Sequence, residues 1–180
     1  MKFLGLNGSL RADSTNRQLL LAAIAMCPPG HEIEVFENLG GLPHFNPDDS
    51  IDSSAELARF VREVRSSDGI IISSPVYARG YPGTLKNALD WLVGVDAFVD
   101  KPFMMLSASN RMPEIELTLV TVLETMSGFH VDKASIAVPL LGTRLSADEI
   151  TANSEWATSI RGALQRFAET VSARQTPPLD

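Results

Sequence analysis

Short apolar runs alternate with amphipathic stretches from one end of the chain to the other. Residues 3–6 form the first apolar run, and a polar loop over 7–13 follows it. Residues 14–26 then carry Leu19, Leu20, Ala23 and Ile24 at helical spacing. Pro28, Pro29 and Gly30 break that pattern ahead of residues 32–37, where Ile33 and Val35 alternate with polar neighbours as in a strand. Ser53 and Glu56 have capping-box spacing, and Leu57, Phe60, Val61 and Val64 make a helical stripe behind them. Residues 69–73 are a continuous β-branched run, the mark of a strand buried on both faces of a parallel sheet. Residues 82–92 read as a helix, 103–106 as a fourth strand, 113–127 as a helix and 134–138 as a fifth strand. Ser146 and Glu149 repeat the capping-box spacing and open a last helix, whose stripe is Trp156, Ile160, Leu164, Phe167 and Val171.

Strands and helices in strict alternation imply a doubly wound α/β sandwich, because parallel neighbours need right-handed helical crossovers. The pattern predicts one domain over residues 1–173, with a polar, disordered tail over 174–180. Ligands of such sheets bind beyond the carboxyl ends of the strands, where the strand order reverses. Three loops meet that condition: residues 8–15, 75–82 and 107–112. Functional residues are expected in these loops.

Composition removes several alternatives. The 180 residues include 15 Lys and Arg against 22 Asp and Glu, a net charge of −7, with no basic run. That balance argues against nucleic acid and anionic membrane surfaces as partners. Cys27 is the sole cysteine, so neither an internal disulfide nor a cysteine metal site can form. No signal-peptide pattern or membrane-length apolar run is visible, and a cytoplasmic protein is expected. His31, His44 and His130 lie outside the three loops without metal-ligand spacing and read as surface or loop positions.

The first loop, residues 8–16, holds Ser9, Arg11, Ser14, Thr15 and Asn16 at the start of a helix. Hydroxyls, a guanidinium, an amide and unpaired helix N–H groups are the parts of a phosphate cradle. Charge-assisted hydrogen bonds contribute about 1.5–3 kcal/mol each, and a helix terminus adds about 0.3–1 kcal/mol. Three or four such contacts hold a phosphomonoester against the global charge. The plainer alternative is a helix cap at Ser14 or Asp13 beside a solvated Arg11, but a cap needs only one of these groups. No G-x-x-x-x-G-K-[ST] or G-x-G-x-x-G pattern occurs, so a mononucleotide fits better than a P-loop or Rossmann ligand.

In the second loop, Pro75 and Gly80 shape a tight turn, and Tyr77 offers an aromatic edge or face to a flat ring. Here the sequence resembles the NADPH-dependent FMN reductase family, which includes flavin-dependent quinone, chromate and azo-dye reductases. Its first pattern, G-S-x-R-x-x-S-x-N, is met by Gly8, Ser9, Arg11, Ser14 and Asn16. Most of its second, P-x-Y-N-x-S-x-P-G-x-L-K-N-A-x-D-W, is met by Pro75, Tyr77, Pro82, Gly83, Leu85, Lys86, Asn87, Ala88, Asp90 and Trp91. Ala78 stands in place of the usual asparagine and Gly80 in place of a serine. The third loop lacks the glycines that many members carry there.

The resemblance implies a flavodoxin-like three-layer sandwich with a five-stranded parallel sheet in the order 2-1-3-4-5. It implies that Ser9, Arg11, Ser14, Thr15 and Asn16 hold the FMN phosphate. Pro75, Val76, Tyr77 and Ala78 would line the ring, with Ser109 from the third loop. The implied activity is ping-pong electron transfer from NADPH or NADH, through FMN, to free flavin, quinones or similar small molecules. The cofactor performs such chemistry, so no side chain need act as a nucleophile or base. Two alternatives stay open: an electron carrier reduced by a protein partner, and a degenerate member without flavin. Arg79 and Arg111 either face an anionic ligand or are solvated. Lys86, Asn87 and Asp90 read as structural, Trp91 as packed, and Tyr81 as a residue able to cover the ring. A homodimer or homotetramer is expected, with the Trp91 and Phe98 region as a possible contact.

The absent motifs point the same way. There is no G-x-S-x-G elbow, which disfavours an α/β-hydrolase. Asp48 and Asp49 follow the second strand rather than the first, which removes most of the case for a phospho-accepting receiver domain.

Overall fold

A computed structural model describes residues 1–109 and 113–175. Six strands, β1 (Lys2–Asn7), β2 (Glu32–Val35), β3 (Gly69–Ser73), β4 (Pro102–Ser107), β5 (Phe129–His130) and β6 (Ile136–Ala137), form one parallel sheet. Its order is β2-β1-β3-β4-β5, with β6 also paired to β4. This is the flavodoxin-like order that the resemblance implied. The central strands β3 and β4 are buried at every residue, which explains their unbroken apolar sequence. Alternate side chains feed two cores. Phe3, Ile71, Met104 and Leu106 face α1 (Thr15–Ala25), α5 (Ala147–Ala152) and α6 (Ser154–Gln175). Leu4, Leu6, Ile70, Ile72, Phe103 and Met105 face α2 (Ala55–Ser66), α3 (Gly83–Val93) and α4 (Pro113–Thr125).

Several local expectations are corrected. Of the fifth strand expected over 134–138 only Ile136–Ala137 is present, and a further short strand, Phe129–His130, precedes it across a 3-10 turn at Asp132–Ala134. Between them the Ser135 hydroxyl accepts from the Met105 N–H at 3.0 Å, in place of a ladder carbonyl. His130 therefore belongs to the sheet: its ring stacks on Phe103 and its Nε2 lies 2.9 Å from Ser135 Oγ. The cap of α2 is Ser54, one residue after the expected Ser53. The Ser146–Glu149 capping box is present, but Asn153 divides the last helix in two. Its Oδ1 accepts from the Trp156 N–H at 3.0 Å, a side-chain bond that competes with helix continuation. The final helix runs on to Gln175, past the point where the sequence pattern fades; residues 176–180 of the expected tail lie outside the described residues.

Trp91 and Phe98 are buried within this chain, so they offer no surface to a second copy. Trp91 Nε1 donates to the Pro43 carbonyl at 2.8 Å, and the ring meets Phe45 edge-on. Asn87 grips the same segment, accepting from the Phe45 N–H and donating to the Pro43 carbonyl. Lys86 pairs with Asp90 one turn along α3. Lys86, Asn87, Asp90 and Trp91 thus serve as scaffold, as expected.

Candidate functional site

The carboxyl ends of β1, β3 and β4 open into a cavity of about 410 Å³. Its floor is reached by the first loop, whose conformation is set by buried polar groups. The Asn7 side chain clamps Ser9 from both sides, donating to its carbonyl at 2.8 Å and accepting from its N–H at 3.2 Å. Ser9 Oγ in turn accepts from the Arg11 N–H at 3.3 Å. Ser14 caps α1 by accepting from the Arg17 N–H, which leaves the first N–H groups of the helix without intrahelical partners. Asn16 is buried, and its Oδ1 accepts from the Ser73 hydroxyl at 3.1 Å. Its amide N–H₂ is therefore what it has to offer a ligand.

Ser9, Arg11, Ser14, Thr15 and Asn16 all line this cavity, as do Pro75, Val76, Tyr77 and Ser109. Ala78 does not. It sits at the tip of the second loop, where Tyr77 and Gly80 exchange two backbone hydrogen bonds of 2.8 and 2.9 Å. The tight turn lies at Ala78 and Arg79, with φ of 48° and 63°, so the left-handed conformation is taken by these two residues and not by Gly80. Each such residue costs about 1–2 kcal/mol without the freedom of glycine. Val76 and Tyr77 are exposed by 38% and 51%, which leaves an apolar face at the mouth of the cavity. Arg111 lies outside the described residues.

The two loops touch. A Cβ placed on Gly8 would stand 2.3 Å from Ser74 Oγ and 3.2 Å from the Ser74 Cα, so only a glycine allows this approach. The Gly8 N–H donates to the Ser73 carbonyl at 2.9 Å, which ties the two strand ends together. At the far side, Met105, Ala108, Ile115, Leu119 and Leu141 supply an apolar wall. Within it stands Glu116, whose carboxylate accepts a hydrogen bond from the buried Ser107 hydroxyl.

Tyr81 lines the cavity as well. Asn7, Ser74, Glu116 and Leu141 were missed by sequence reasoning. Glu116 had a visible signal, an acid one turn before the apolar positions Leu119 and Val120 of α4. Leu141 had none, since the chain brings it from beyond β6. Among the lining residues described, Arg11 is the only cation, beside Asp13 and Glu116. No group of three His, Cys, Asp or Glu that could hold a metal occurs among the described residues. No described helix is long and apolar enough to cross a membrane. The arrangement suits a ligand with a small anionic group at one end and a flat apolar body at the other.

The sequence profile of the NADPH-dependent FMN reductase family matches residues 1–140. A 2-hydroxy-1,4-benzoquinone reductase of Burkholderia sp is 40% identical over 84 residues, 47% of this chain and 45% of that protein. An NAD(P)H-dependent FMN reductase of Pseudomonas aeruginosa is 36% identical over 112 residues, 61% of this chain and 60% of that protein. The chain thus matches about half to three-fifths of the length of these relatives. In three dimensions it superposes on FerB, a flavoenzyme NAD(P)H:(acceptor) oxidoreductase from Paracoccus denitrificans, with a TM-score of 0.76. That match covers 96% of this chain and 97% of FerB at 22% identity, and so speaks to the fold.

Proposed function

The chain belongs to the NADPH-dependent FMN reductase family, and from that premise we propose that it binds one FMN in the β1–β3–β4 cavity and passes electrons from NADPH or NADH to free flavin, quinones or similar small acceptors. The observation that carries this reading is the two-ended cavity itself. Hydroxyls, a guanidinium and helix N–H groups gather at the end of β1. Neighbouring strands are about 4.8 Å apart, so the apolar wall at β4 lies roughly 10 Å away. A phosphate and a flat ring joined by a short polyol chain have that length and that distribution of polarity. Bound FMN supplies the two-electron chemistry.

The chain's own residues position and exclude. Ser9, Arg11, Ser14, Thr15 and Asn16 hold the phosphate; Pro75, Val76 and Tyr77 support the ring, with Ser109 beside it, while Ala78 shapes the turn behind them. The exposed Val76 and Tyr77 leave one face open, where donor and acceptor take turns, which supports a ping-pong cycle. A homodimer or homotetramer is part of the same proposal, with a contact elsewhere than Trp91 and Phe98; a monomeric mass by light scattering at micromolar concentration rejects it.

The test is an absorbance spectrum after FMN addition and desalting, followed by anaerobic NADPH and then NADH. A retained flavin band that bleaches supports the reductase. A retained band that neither nucleotide bleaches favours an electron carrier reduced by a protein partner. Loss of the band on desalting points to a member that no longer holds flavin.

A further inference from the structure

The cavity carries a carboxylate where the ring-end wall is otherwise apolar. Glu116 lies in the first turn of α4, beside Ile115 and one turn before Leu119, and Leu141 approaches from beyond β6. Its carboxylate is held by the hydroxyl of Ser107, the last residue of β4. Glu116 takes part in no ion pair among the described residues. A first-turn acid favours a helix N-terminus, but Glu114 in the same turn, exposed to solvent, already serves that purpose. Helix stability does not explain why the second acid faces the cavity.

Arg11 belongs to the loop after β1 and Glu116 to the helix after β4, two strands along the sheet, so they mark opposite ends of the site. Asp13, the other acid of the lining, is on the Arg11 side. We propose that Glu116, positioned by Ser107, is a specificity-determining residue: a fixed negative charge at the ring end that disfavours acceptors bearing a carboxylate or sulfonate and admits neutral ones such as unsubstituted quinones. This deepens the function proposed above and rests on it. A charge in a partly desolvated cleft discriminates because low-dielectric walls focus its field on whatever enters.

The test compares FMN-loaded wild type with Glu116→Gln and Glu116→Asp. The acceptors are neutral 1,4-benzoquinone and anionic 1,2-naphthoquinone-4-sulfonate. Glu116→Gln raises the ratio of kcat/KM for the sulfonate to that for the neutral quinone by about tenfold, whereas Glu116→Asp, which keeps the charge, stays near wild type. Raising the ionic strength narrows the difference between wild type and Glu116→Gln. A second readout needs no turnover: benzoate, titrated against the visible spectrum of the bound flavin, binds about tenfold tighter to Glu116→Gln than to wild type. A ratio and a benzoate affinity both unchanged in Glu116→Gln overturn the charge filter while leaving the reductase reading intact. A wild type that holds no FMN, or holds it and reduces neither acceptor, overturns the reductase reading and the filter with it.

Discussion

The first and second loops meet at one cavity but are built on opposite principles. The first is pinned from within: Asn7, Ser9, Ser14 and Asn16 are all buried, and side-chain hydrogen bonds of Asn7, Ser9 and Asn16 hold the backbone to the strand ends. The second projects outward, with Tyr77 half exposed and two consecutive left-handed residues at its tip. The exchanged hydrogen bonds of Tyr77 and Gly80 tie that tip together. A small, highly charged group needs donors at fixed positions before it arrives, since reorganising them would consume its binding energy. A flat ring that must be approached by different molecules in turn is better served by an open rim. Under the function proposed above, the difference gives the anchor to one loop and access to the other.

The largest effect is expected at the anchor. Arg11→Ala should weaken FMN binding by about 1.5–3 kcal/mol through one lost charge-assisted contact. Titration by flavin fluorescence measures it, and an unchanged dissociation constant would place Arg11 in solvent. Gly8→Ala attacks the joint between the loops, because its Cβ meets Ser74. It should destabilise the protein by about 1–3 kcal/mol, the usual cost of overpacking. Adding Ser74→Gly should recover part of that loss in urea denaturation, since it removes the two nearest obstructing atoms.

Asn7→Ala removes both hydrogen bonds of the Ser9 clamp and should cost about 1–2 kcal/mol of stability. If the anchor is preorganised, the same variant also loosens FMN without touching it. Equal FMN affinity in Asn7→Ala and wild type would end the contrast between a rigid and an open loop. The smallest effect is at the rim and has the opposite sign. Ala78→Asn places a residue that tolerates positive φ at a position of 48° and should stabilise by about 0.5–1 kcal/mol. Its melting temperature should rise, with little change in FMN affinity.

Much of the site was legible because its signals are local. The hydroxyls and guanidinium of the first loop sit within eight positions, directly after an apolar run and before a helical stripe. Proline, tyrosine and glycine punctuate the second loop in the same way. Asn7 escaped notice because its role is to hold a neighbour's backbone, and nothing in its type distinguishes a clamp from a turn. Trp91 and Phe98 looked available for a partner, but the 3-10 turn that contains Phe98 and the segment containing Pro43 and Phe45 fold over them.

The alternation of elements, the parallel sheet and the three loops beyond the strand ends were readable from the chain alone. Those follow from periodicity and punctuation, which act over a few residues and need no partner from elsewhere in the chain. The rest depended on packing. It shortened the strand expected over 134–138, where the Ser135 hydroxyl satisfies the Met105 N–H in place of a ladder carbonyl. It turned Glu116 toward the cavity and brought Leu141 beside it, contacts that depend on how α4 and the chain beyond β6 lie against the sheet. Pattern reports which face of an element is apolar, but only packing decides which distant side chains that face will meet.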